Sequence, residues 1–99
     1  MLVSTVGVGD LDVVVREWGS PDGRPLVFWH GLNPFGALQL NEVSPIWAHR
    51  GFRVVSIAAP GIADSPPLVD LAEYRPARLS DLVVGLADAL GLARLAFVG

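Results

Sequence analysis

Residues 26–29 read Leu-Val-Phe-Trp and run without a polar break into His30-Gly31. A short apolar run that does not alternate has no wet face. A strand of that kind has to be covered on both sides, as in the centre of a parallel sheet packed between helices. Arg53 to Ile57 reads as a second buried strand, and Leu95 to Val98 as the last strand. The chain is 52% hydrophobic, with a mean hydropathy of +0.49, which suits strands buried on both faces. A piece of a larger core has the same composition. Its 99 residues make one domain at most.

The rest of the chain supplies the order of elements. Val3–Val8 and Leu11–Glu17 are apolar, β-branched runs separated by Gly9-Asp10, a two-residue hairpin signal. The turn cluster from Trp18 to Gly23 ends the second run. His30 to Gly36 reads as a loop. Leu38 to His49 follows, with Leu38, Leu40, Val43, Ile46 and Trp47 spaced to share a helix face. Pro45 must then sit near the start of that helix or kink it. Arg50-Gly51 closes the segment. Ala58 to Leu68 is a loop rich in glycine and proline. Leu79 to Leu90 is the clearest helix, with Leu79, Leu82, Val83, Leu86 and Leu90 on one stripe and Gly91 as its cap. The order β-β-β-α-β-α-β predicts an α/β fold whose sheet begins antiparallel and becomes parallel.

Composition removes several function classes. Net charge is −3, all seven basic side chains are Arg, and no basic face for nucleic acid is apparent. No stretch reaches the roughly 18 uncharged apolar residues of a membrane span, since Asp88 and Arg94 interrupt the most apolar one. The N-terminus lacks a basic region followed by an apolar core, so no signal peptide is expected. There is no cysteine, hence no disulfide framework or thiolate metal site, and a cytoplasmic location is expected. Two histidines far apart give no support for a metal, and no cofactor is expected.

Three segments bear on chemistry. In the first, Gly31 follows the third strand directly, so the backbone can turn sharply and aim its N–H groups at the upper edge of the sheet. Donors placed there stabilise the negative charge that develops in acyl transfer, by about 3 kcal/mol each. The N–H of Leu32 is the candidate donor, with His30 bonding loop backbone rather than acting as a base. The alternative is a histidine that merely begins a loop. The second segment is Ala58-Ala-Pro-Gly-Ile-Ala-Asp-Ser65-Pro66. Ser65 follows a loop residue, so a turn or capping role fits it better than that of a nucleophile. The third is the end, where a capped helix leads into Leu95-Ala96-Phe97-Val98-Gly99.

In this order and on these elements, the three segments resemble the α/β-hydrolase family over nearly the whole chain. The second segment is similar to the Asp-x-Pro-Gly-x-Gly-x-Ser loop common there. Pro60, Gly61 and Ser65 match, while Ala58 replaces the usual Asp and Ala63 the second Gly. The resemblance implies a three-layer α/β sheet cut after its fifth strand, with residues 1–99 the N-terminal portion of a hydrolase domain. Gly99 would be the first glycine of the Gly-x-Ser-x-Gly elbow. The Ser, Asp or Glu, and His of a triad would then lie beyond this chain, and none of its own residues would be catalytic. The resemblance implies a small-molecule substrate with an ester, amide or similar bond. Leu32 would form half the oxyanion hole beside His30 and Gly31, and Asn33 and Phe35 would line the pocket.

Other readings are weaker. His49 ends a helix, where a histidine meets the helix dipole favourably. Asp81 and Asp88 can share a helix face, but helix solvation accounts for them. Gly7-Val8-Gly9 is a Gly-x-Gly without the third glycine of a dinucleotide site, since Asp12 stands in its place, and no helix follows it. A noncatalytic domain that self-associates through the open edge of its last strand is the competing function.

Overall fold

The computed structural model describes residues 1–29, 36–62, 64–68 and 70–98, with backbone alone for 36–40 and 71. The first two strands, β1 (Leu2–Val8) and β2 (Leu11–Trp18), form an antiparallel hairpin. Val8 pairs with Leu11, which leaves Gly9 and Asp10 as the two-residue loop. β3 (Arg24–Trp29), helix α1 (Gly36–Ala48) and β4 (Phe52–Ile57) follow. A short 3-10 turn at Leu71–Glu73 precedes α2 (Pro76–Ala89), and β5 (Ala96–Val98) completes the sheet. Strand order is β1-β2-β4-β3-β5. β2 meets β4 antiparallel, whereas β3 is parallel to both β4 and β5. The expected change from antiparallel to parallel therefore falls between β2 and β4.

The consecutive apolar residues of the central strands divide between two faces because strand side chains alternate. Val13, Val15, Val27, Val55 and Ile57 point to one side and pack against Leu82, Leu86 and Leu92. Trp18, Leu26, Phe28 and Val54 point to the other, where Ala48 and Phe52 meet them. Two-sided burial is thus the reason these runs show no polar alternation.

α2 follows its sequence closely. Pro76 stands at its first turn, where a missing N–H costs nothing. Leu82 and Leu86 are buried and Leu79, Val83 and Leu90 half-buried, so the stripe faces the sheet. At its end Gly91 has φ 71°, and its N–H donates to the Asp88 carbonyl at 3.1 Å. The Leu92 N–H donates to the Ala87 carbonyl at 2.9 Å. The two bonds form a Schellman cap, and Leu92 closes it by packing into the core.

α1 departs from its expected face. Val43, Ile46 and Trp47 are exposed, at 39%, 58% and 43%, whereas Ser44 is fully buried. These three residues are therefore not on the face that meets the sheet. The side chains of Leu38 and Leu40, which belonged to that set, lie outside the described residues. Pro45 is inside the helix rather than near its start, and the His49 N–H reaches back to the Pro45 carbonyl at 3.1 Å. Between the helix and the sheet, Ser44 Oγ, Asn41 Oδ1 and Ser56 Oγ are buried and have no hydrogen-bond partner among the described residues.

Candidate functional site

Ligands of open α/β sheets gather at the carboxyl ends of the parallel strands. Here those ends are Trp29, Ile57 and Val98, and the register aligns them: Trp29 with Ile57, Phe28 with Val98. The chain thus leaves β3 and β5 side by side at one edge of the sheet. Between β4 and α2, the segment beginning at Ala58 borders the same edge.

That segment is held by side chains. Ser65, 5% exposed, accepts a hydrogen bond from the Val14 N–H at 2.9 Å and donates to the Ala58 carbonyl at 2.7 Å. Its hydroxyl is fully engaged with backbone, so it is a structural clip joining β2 to the loop. Asp64 receives two bonds from the buried Arg16, Nη1 to Oδ1 at 3.1 Å and Nη2 to Oδ2 at 2.6 Å. The Arg16 hydrogen bond holds the Asp64 carboxyl below its ordinary value. Partial burial opposes that shift, and a backbone hydrogen bond and the guanidinium charge add to it. Tyr74 Oη accepts the Leu68 N–H at 2.9 Å and donates to the Pro60 carbonyl at 3.4 Å. Gly61, at φ 79°, lies beside that hydroxyl, with Tyr74 Oη only 3.1 Å from where a Cβ would stand.

The anchoring pair Arg16 and Asp64, and Tyr74, were not anticipated from the sequence. One signal was available: Arg16 interrupts the run Val13-Val14-Val15, and a cation in a covered strand requires a partner. Tyr74 gave none, because its partners are backbone groups at positions 60 and 68. With Ala at position 58, the loop is anchored through Ser65, Asp64 and Tyr74.

The expected site residues His30, Gly31, Leu32, Asn33, Phe35 and Gly99 all lie outside the described residues. His49 is exposed, just past the end of α1, and Asp81 and Asp88 are exposed on α2. Gly7 lies in β1 and Gly9 in the hairpin loop, and β2 follows them rather than a helix. Among the described residues no cluster of three or more His, Asp or Glu could hold a metal ion. No described helix is long and apolar enough to cross a membrane.

No protein-family model matches the chain, and no curated protein matches it in sequence. Solved structures do match. A proline iminopeptidase-related protein of Thermus thermophilus superposes with a TM-score of 0.82 at 26% identity, over 97% of this chain and 34% of its own. An epoxide hydrolase of Vigna radiata gives 0.88 at 25% identity, over 97% and 30%. The thioesterase domain from the curacin biosynthetic pathway gives 0.87 at 24% identity, over 100% and 36%. All three are α/β-hydrolase fold proteins. The chain has the α/β-hydrolase fold and spans about a third of the length of these structures.

Proposed function

We propose that residues 1–99 form the N-terminal portion of a hydrolase domain that cleaves an ester, amide or similar bond in a small molecule. The observation that carries this reading is the parallel pairing of β3 with β5, Phe28 beside Val98. It brings the exits of the two strands together, and acyl transfer needs an oxyanion donor within about 3 Å of the carbonyl that the nucleophile attacks. Leu32 N–H is the donor following β3, with His30 and Gly31 shaping the turn. Gly99 opens the nucleophile elbow following β5. Asn33 and Phe35 line the pocket, and the serine, acid and histidine of the triad lie beyond residue 99. The anchored loop after β4 supports the same edge from the third parallel strand. The composition, free of cysteine, goes with a cytoplasmic location.

A fluorophosphonate probe tests this reading. It labels the polypeptide extended past residue 99 at a serine two positions beyond Gly99, and leaves the 99-residue chain unlabelled. Labelling of the short chain, or an extension without that serine, overturns it.

A second reading rests on β5 itself. This edge strand is exposed throughout, with Phe97 at 50% and Val98 at 46%. An edge of that kind pairs with another chain, and self-association through β5 is the function it supports. Sedimentation velocity then gives a dimer or larger species; a clean monomer with cooperative unfolding refutes it.

A further inference from the structure

We propose that the groove at the N-terminal edge of β3 and β5 binds a phosphate monoester carrying a flat apolar group, gripped by Arg24 and Arg94. Arg24, Pro25, Phe52, Arg94, Leu95 and Ala96 line this groove of about 430 Å³. The β3–β5 register begins with Leu26 beside Ala96, and Arg24 and Arg94, each two residues earlier in the chain, both line the groove. On its other side Arg24 pairs with Phe52 of β4. The Arg24 guanidinium lies 5.4 Å from the Phe52 ring centroid, a contact that holds its fork in place.

Arg16, Arg53, Arg75 and Arg78 each have a carboxylate partner. Among the described residues Arg24, Arg50 and Arg94 have none, and no acidic residue lines the groove that Arg24 and Arg94 share. The groove thus presents two like charges with no carboxylate to offset them, which favours an anion there. Each guanidinium fork takes two oxygens. A phosphate monoester, with three terminal oxygens and nearly two charges at neutral pH, serves both forks. A carboxylate has two oxygens and one charge, enough for one. Pro25, Leu95 and Ala96 offer the apolar floor on which a ring attached to the phosphate can rest.

Titration of the full chain with phenyl phosphate, inorganic phosphate and benzoate, followed by ¹H–¹⁵N spectra, tests the site. Phenyl phosphate is expected to shift the Phe52, Leu95 and Ala96 amides saturably, with benzoate about tenfold weaker and inorganic phosphate about threefold weaker. Arg24→Ala and Arg94→Ala each weaken phenyl phosphate about tenfold, the loss for a hydrogen bond to a charged group. Arg94→Lys keeps the charge without the fork and loses about threefold. Binding weakens at pH 5, where the phosphate dianion takes up a proton and keeps a single charge. Arg94 is exposed, so its variants keep the fold, and unchanged dispersion of the unliganded spectrum checks this. The proposal fails if no saturable shift appears at the groove, or if both alanine variants bind as the parent does. Benzoate binding as tightly as phenyl phosphate overturns the phosphate assignment, and inorganic phosphate doing so overturns the apolar floor.

Discussion

The two helices cover opposite faces of one sheet, and they do it differently. α2 lays Leu82 and Leu86 into a core of valines and ends in a complete cap. α1 turns a buried serine to the sheet and leaves Ile46 and Trp47 in solvent. Beneath α2, local periodicity and tertiary packing agree, which is what makes a segment specify its own position. Beneath α1 they disagree, and the disagreement has a cost: buried hydroxyls without partners lose hydration that nothing replaces. Trp47 finds partial cover against Phe52, whose ring it meets edge-on at 5.6 Å. The lesson is that an apolar count identifies a helix, whereas the face it buries depends on what the sheet presents.

Substitutions can break or sharpen that contrast. The largest effect is expected at Leu86→Ala, 1% exposed in the α2 core, which should cost about 3 kcal/mol in urea unfolding. A loss below about 1 kcal/mol would mean that the α2 face is no better packed than the α1 face. Next comes Ser65→Ala, which strands the Val14 N–H and the Ala58 carbonyl and should cost about 2 kcal/mol. An unchanged midpoint would show the loop to be held by Asp64 and Tyr74 alone.

A smaller effect belongs to Asp64. Its folded pKa is depressed by Arg16, so its contribution is complete above the unfolded value near 3.8. That contribution is lost as pH falls through the folded value. Stability measured from pH 6 downward should therefore decline in that acid range, and Asp64→Asn should flatten the decline. An identical profile in the variant would assign the acid sensitivity to other carboxylates. The smallest effect is at Ser44→Ala, which removes an unpartnered buried hydroxyl and should raise stability by about 0.5 kcal/mol. A loss of that size or more would show that the hydroxyl is bonded after all.

Much of the fold was legible. The hairpin, the three parallel strands, the α2 stripe and the Gly91 cap were each written in local patterns, because hydrophobic periodicity and turn chemistry act over a few residues. Ser65 was legible as a structural hydroxyl for the same reason. The site residues were assigned by likeness alone, and each of them lies outside the described residues. Arg16–Asp64 and Tyr74 with Pro60 were not legible, because each joins positions 14 or more apart.

By itself the sequence determined which segments are strands and helices, and that the central strands must be covered on both faces. Runs such as Leu26–Trp29 carry no polar residue to meet water, and that burden is local. Only the tertiary structure decided that β4 sits between β2 and β3, and which side of α1 faces inward. Those outcomes depend on register between distant strands and on the shape of the surface each helix meets, neither of which a local pattern encodes. The same register brings the exits of β3 and β5 together at one edge of the sheet.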